Sequence, residues 1–339
     1  MTTARTLLQE RLLSIVKRFP GRRMLVVGDA IADQFVYGAI SRVSREAPVF
    51  ILRHEQTETV PGGAANCAMN LVSLGASVSL VGVVGEDAAG RALVERLETA
   101  GVDCTGLLTS EKLQTTTKVR ILAGQLHSTR QQVIRLDYEG ATLNSEFHEP
   151  LRKRIFEEVQ TSDAVIISDY NYGVAGQEMA KVVRDAATSK GIPVLVDSRF
   201  RLIEFEGFTS GTPNEDEVEQ LLGKRLANVS DLESAGEDMR ERLGYRALLI
   251  TRGSHGMMLF EDAVAPLHID AVGAREPVDV TGAGDTVIAA YTLALASDAS
   301  FPDAARLANY AGGLVVMKRG TASVTGEELQ NSVIHSEFT

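Results

Sequence analysis

The sequence predicts an α/β domain in which a mostly parallel sheet is packed between helices and topped by a small β lid. Three observations carry this. Short apolar runs at residues 24–27, 79–84, 164–167, 193–196 and 247–250 alternate with helical segments, and an uninterrupted apolar run suits a strand covered on both faces. The intervening helices are punctuated by glycine: residues 64–74 end at Gly75, and 177–189 end in Lys190-Gly191-Ile192-Pro193. Residues 34–55 and 115–137 break the rhythm, being β-branched and alternating with Arg and Gln interleaved, which predicts extra strands outside the main sheet.

Ahead of the first strand, residues 4–19 place Leu7, Leu8, Leu12, Ile15, Val16 and Phe19 at helical spacing, and Pro20-Gly21 stops the helix. Internal repeats and Pro/Ser-rich linkers are lacking, so residues 1–339 read as one domain with lid segments at about 34–55 and 115–137.

Hydrophobic residues make up 44% and charged residues 23% of the 339, an ordinary globular balance. The net charge of -11 disfavours a nucleic-acid partner. Cys67 and Cys104 form no metal-binding spacing and read as small buried thiols. No run approaches the roughly 20 apolar residues of a spanning helix, and the N-terminal residues do not resemble a secretion signal. A cytoplasmic enzyme with no membrane partner is expected.

The chemistry concentrates in Asp279-Val-Thr-Gly-Ala-Gly-Asp285, followed at once by an apolar, helix-forming stretch. Gly282, Ala283 and Gly284 carry almost no side chain, so their N–H groups can approach an anion at a helix N-terminus. Asp285, in the first turn, can accept the proton of an attacking hydroxyl. The same pattern also fits a plain helix cap.

Two rival motifs fail on spacing: the third glycine of a dinucleotide fingerprint is missing, and no Gly-Lys-Ser/Thr forms a P-loop. After the first strand, Gly28-Asp29-Ala-Ile-Ala-Asp33 puts acids where a dinucleotide turn needs glycines. Asp33, placed at the end of that first strand, suits sugar hydroxyls. In Gly62-Gly63-Ala-Ala-Asn66 a second glycine pair precedes a helix, and Asn66 offers a donor and an acceptor for a polyol.

With Thr212-Pro213-Asn214-Glu215-Asp216-Glu217, these runs resemble the PfkB, or ribokinase-like, sugar kinases across most of the chain. The resemblance implies a three-layer α/β/α sandwich with a β lid and in-line transfer of the γ-phosphoryl group of MgATP. By that likeness Asp285 is the base and the backbone of Gly282, Ala283 and Gly284 the anion hole, with the sugar held at Asp33, Gly62, Gly63 and Asn66. Asn214 and Glu217 would organise Mg²⁺ and phosphate through water, Thr251 and Gly253 would line the nucleotide, and Asn309 would lie near the adenine. A monovalent cation such as K⁺ near Asp279 and Gly320 belongs to the same likeness.

Further runs are similar to the kinase domain of D-glycero-D-manno-heptose 7-phosphate kinases, which make the 1,7-bisphosphate: Ser41-Arg42-Val-Ser-Arg45-Glu-Ala-Pro-Val49, Gln131-Gln-Val-Ile-Arg135-Leu-Asp137 and Ser168-Asp169-Tyr170. An acceptor already bearing phosphate needs cations, and the lid supplies Arg42, Arg45, Lys118, Arg120, Arg130 and Arg135, with Arg42 and Arg135 preferred. Asp169 joins the expected sugar contacts.

Two departures touch the substrate. Asn171-Tyr172-Gly173 replaces a lysine-containing stretch, and Asp197-Ser198-Arg199 replaces the usual Asp-Pro-Lys. Another sugar or phosphosugar is therefore the alternative acceptor, and a sugar-binding protein without turnover is the alternative outside enzymes. The sequence holds no His-x-Gly-His motif, so only the kinase step is expected. Uncovered lid strands and the leading helix offer surfaces for a homodimer.

Overall fold

The computed structural model describes residues 2–124, 130–140, 143–273 and 276–335; residues 125–129 of the expected lid segment lie outside them. The leading helix is α1 (Thr2–Val16), which buries Leu12, Ile15 and Val16, with Phe19 buried just beyond it. Next come β1 (Arg23–Gly28), β2 (Ala30–Val43), β3 (Phe50–Gly63), α2 (Ala64–Ser73), β4 (Ser77–Gly85), α3 (Ala88–Ala100), β5 (Val102–Asp103) and β6 (Leu107–Ser110). The middle of the chain gives β7 (Thr117–Gly124), β8 (Gln131–Tyr138), α4 (His148–Thr161), β9 (Ala164–Asp169), α5 (Gln177–Lys190), β10 (Val194–Ser198) and β11 (Ser210–Gly211). Last are α6 (Glu215–Leu222), α7 (Val229–Leu243), β12 (Ala247–Thr251), β13 (Met257–Glu261), β14 (Val264–Ile269), α8 (Ala283–Ala296), α9 (Phe301–Val315) and α10 (Gly326–His335).

The central sheet runs β11-β10-β9-β1-β4-β5 with β6 also on β4, and its pairings are parallel. Alternation along β1 divides the core. Met24 and Val26 face the layer of α1, α2, α8, α9 and α10, whereas Leu25 and Val27 face α4, α5 and α7. Full burial of each such side chain contributes about 1.5–3 kcal/mol, so a polar residue on either face of this strand would be costly. The three layers place the C-terminal ends of β1, β9 and β10 together, where a ligand crevice forms in open α/β sheets.

The structure corrects two sequence expectations. Residues 247–250 are strand, but β12 belongs to the antiparallel sheet β12-β13-β14 and adjoins the parallel sheet beside β11 through a bridge between Asn214 and Thr251 and hydrogen bonds from Ala247 N to Thr209 O and Thr251 N to Pro213 O. An apolar run looks the same in both settings because both are covered on two faces. Asp33 lies not at the end of β1 but on β2, because the chain turns at Asp29 and resumes as strand at Ala30.

The lid is a four-stranded sheet, β3-β2-β7-β8. Its strands β2 and β3 start earlier and end later than residues 34–55, and Ser44 to Val49 between them is not strand. Of the described helices, none is long and apolar enough to cross a membrane.

Candidate active site

Helix α8 opens at Gly282, whose φ of 76° is left-handed and suits glycine; a Cβ there would also fall 2.6 Å from Asn66 Nδ2. Asp285, at the third position of α8, makes no capping hydrogen bond, which removes the plain-cap reading. Its carboxylate turns inward: Asn66 Nδ2 donates to Oδ2 at 2.7 Å, and the Tyr170 hydroxyl donates to Oδ1 at 3.1 Å. Burial pushes the Asp285 carboxyl up to about 6, against the pull of those two donors.

Behind Asn66 the network continues into the protein. Asn70 Nδ2 donates to the Asn66 side-chain oxygen at 3.3 Å, and the Thr286 hydroxyl donates to Asn70 Oδ1 at 2.8 Å. Both ends of the Asn66 amide are thus engaged, so it orients Asp285 while lining the cavity.

That cavity, about 290 Å³, is lined by Asp33, Gly62, Gly63, Asn66 and Asp169 together with Gly282, Ala283, Gly284 and Asp285. Asp33 is 6% exposed, and Arg120 Nη1 from β7 donates to its Oδ1 at 2.6 Å. Gly62 makes this placement feasible, since a Cβ there would lie 2.8 Å from Asp33 Oδ2. Asp169 is differently occupied: Ser198 Oγ donates to it at 2.7 Å, the Asn171 amide at 3.1 Å, and Arg201 pairs with it. Its carboxylate is held by protein groups.

Asn214 and Glu217 line the same cavity and form a capping box on α6, with Glu217 N donating to Asn214 Oδ1 at 2.8 Å and Asn214 N to Glu217 Oε2 at 2.9 Å. Beside them Asp197 points into the cavity, where burial and then the charges of Glu217, Asp285 and Asp169 raise its proton affinity far above normal. Among the described residues no group of three or more His, Cys, Asp or Glu side chains is placed to hold a metal ion.

A second, more apolar cavity of about 210 Å³ shares Thr251, Ala283 and Gly284 with the first and extends past Gly253, Val287 and Asn309. Asn309 Nδ2 donates to the Asp270 carbonyl at 2.7 Å. Asp279, expected near a monovalent cation, accepts from Gly320 N at 2.9 Å and from Thr281 N at 2.9 Å.

A third cavity, about 590 Å³, adjoins the first at Lys118, Tyr170 and Arg199 and includes Arg135. Arg135 is bidentate to Asp137 at 2.8 and 2.6 Å. Arg42 lies exposed toward the far end of β2, opposite Ile51, and lines none of these cavities. Sequence reasoning passed over the roles of Tyr170, Asp197 and Asp29; for Tyr170 the only signal was its place in Ser168-Asp169-Tyr170.

The layered fold and crevice are those of sugar kinases of the ribokinase class. The Arabidopsis thaliana ribokinase complexed with ribose and ATP superimposes with a TM-score of 0.73 at 23% identity, over 94% of this chain and 100% of that one. Escherichia coli phosphofructokinase-2 in complex with potassium gives 0.77 at 21%, over 93% and 98%. Over residues 22–327 the sequence matches the pfkB family carbohydrate kinase, and the chain belongs to that family. It is 41% identical over 312 residues to the bifunctional protein HldE of Marinomonas sp. (strain MWYL1), covering 92% of this chain and 64% of that protein. Against HldE of Edwardsiella ictaluri (strain 93-146) the identity is 42% over 318 residues, covering 93% and 64%. The chain therefore spans less than two-thirds of the length of these relatives.

Proposed function

We propose that the chain transfers the γ-phosphoryl group of ATP to the anomeric O1 of D-glycero-D-manno-heptose 7-phosphate. The observation that carries the chemistry is Asp285, buried beside the first turn of α8 with each carboxylate oxygen given its own donor. Asp285 takes the proton of O1 as the new O1–P bond forms and the bond from Pγ to the leaving oxygen of ADP breaks. The N–H groups of Gly282, Ala283 and Gly284 stabilise charge developing on the transferring group. Asp33 holds acceptor hydroxyls, and the apolar cavity near Asn309 takes the adenine. Glu217 would hold Mg²⁺ through water, and the ion would supply neutralisation of phosphate charge.

Two cations favour an acceptor that already carries phosphate. The ion pairs made by residues of the first and third cavities, among the described residues, are Arg120 with Asp33, Arg135 with Asp137, and Arg201 with Asp169 and Glu204. Lys118 and Arg199 stand outside them, lying instead over the rings of Tyr170 and Phe200. Burial, with Arg199 and Arg135 nearby, lowers the proton affinity of Lys118, and a phosphate dianion would relieve that repulsion. The heptose itself rests on the likeness of the lid runs to heptose 7-phosphate kinases. A different phosphosugar is the second reading, favoured by Ser198, whose hydroxyl is committed to Asp169, and by Arg199 in the place of lysine.

The test is ADP release with MgATP and a panel of heptose 7-phosphate, hexose phosphates, fructose, ribose and adenosine. Preference for heptose 7-phosphate supports the proposal; preference for another phosphosugar keeps the kinase and discards the heptose. Silence across the panel would overturn both.

A further inference from the structure

The geometry points to Tyr170 as a positioning residue for Asp285, itself locked in place by the buried carboxylate of Asp29, so that Asp29, Tyr170 and Asp285 act as one unit. This rests on the kinase reading of Asp285. It adds two residues whose only sequence signal was proximity to glycine or to Asp169.

Asp29 sits in the tight turn between β1 and β2 and is 3% exposed. Its Oδ2 accepts from the amides of Tyr170 at 2.9 Å and Tyr172 at 3.0 Å, and its Oδ1 from Val174 at 3.1 Å. The segment after β9 is thus wrapped around an internal anion, with alternate amides turned toward one carboxylate. Asn171, between two of those donors, takes a left-handed φ of 65°, and Gly173 one of 109°. A non-glycine residue in that region costs free energy, which the three hydrogen bonds to a buried charge offset.

The consequence of the wrapping is the direction of the Tyr170 side chain. Its ring is covered by Lys118 Nζ at 5.4 Å from the centroid, and its hydroxyl reaches Asp285 Oδ1. Burial, reinforced by the charges of Asp285 and Asp197, keeps the phenol protonated far into the alkaline range. Tyr170 therefore remains a donor throughout the working range, stabilising the ionised form of Asp285 and fixing one oxygen while Asn66 fixes the other.

The charged and titratable groups that act on Asp285 come from several elements. Asp33 on β2 raises its proton affinity and Lys118 on β7 lowers it. Cys67 on α2 and Asp197 on β10 also feel its charge. Among the described residues, Asn66 and Tyr170 are the side chains hydrogen-bonded to its carboxylate.

The test is a carboxyl ¹³C NMR titration of protein labelled at aspartate, with Asp285→Asn identifying the signal, alongside the pH profile of kcat/KM. In Tyr170→Phe the Asp285 midpoint should move up from about 6 by about half to one pH unit, the scale of one lost neutral hydrogen bond, and the acid limb of kcat/KM should follow. In Asp29→Asn, hydrogen exchange at the amides of Tyr170, Tyr172 and Val174 should accelerate and kcat should fall, with the KM for ATP unchanged. An unmoved midpoint in Tyr170→Phe, or unchanged exchange in Asp29→Asn, would overturn the unit. Since the titration needs no turnover, an inactive protein would sink the kinase reading and still decide this one.

Discussion

Asn66 and Asp285, 219 positions apart in the chain, are joined by a 2.7 Å hydrogen bond from the amide nitrogen of one to the carboxylate of the other. It ties α2, which follows the glycine pair, to α8, which follows the glycine loop, and so fixes the base relative to the acceptor side of the cavity. Asp285→Asn keeps the size of the side chain and removes its basicity. Turnover should drop by about 10²-fold or more, with ATP binding by calorimetry little changed. Turnover near that of the unaltered protein would move the base elsewhere.

The pH dependence follows from the same carboxylate. Burial raises Asp285 from 3.8 to about 6, and a base works ionised, so kcat/KM should climb through pH 6 and level off about a unit above it. For stability the sign is opposite. A carboxyl whose folded value is raised contributes stability that is complete below pH 3.8 and is lost as pH rises through about 6. Comparing thermal unfolding of the protein and Asp285→Asn between about pH 3.5 and 7 should show this component vanish in the variant.

Gly62 packs tightly against Asp33, because a Cβ there would press on Asp33 Oδ2 at 2.8 Å. Gly62→Ala should displace Asp33 from Arg120 and raise the acceptor KM about tenfold, the scale of a modest overpacking cost. The KM for ATP should stay constant. Equal effects on both substrates would point to a general disturbance of the fold.

Lys118→Met and Arg199→Met should each weaken a phosphorylated acceptor by about tenfold or more relative to its unphosphorylated analogue, as expected for loss of a charge-assisted contact. Arg42→Ala should leave both unchanged in the single chain, since Arg42 lines none of the three cavities. Steady-state kinetics on the paired acceptors decides the matter, and equal weakening of the two would remove the phosphate role.

Much of this was legible in the sequence because it is local. The apolar runs of β1, β4, β9 and β10 are strands, and Gly282-Ala283-Gly284-Asp285 does open a helix beside a cavity. What escaped depends on distance and competition. Arg42 shares β2 with Asp33, but nine residues at about 3.3 Å each carry it roughly 30 Å along the strand. Asp169 looked available until Ser198, paired beside it at the end of β10, and Arg201, in the turn that follows, took its oxygens. Tyr170 could not be read as a partner of Asp285 because its direction is set by Asp29, 141 residues earlier.

Asp33, Lys118 and Arg120 all ride on the lid sheet, whereas Asp285 and its glycine loop belong to α8 in the layered body. In the proposed roles, two acceptor contacts, Asp33 and Lys118, thereby sit on a different piece of chain from the bond-making groups, while Arg199 and Asn66 belong to the body. Exchange of lid strands between related proteins should redirect the sugar while preserving the reaction, so new specificities can arise in this architecture without rebuilding its chemistry.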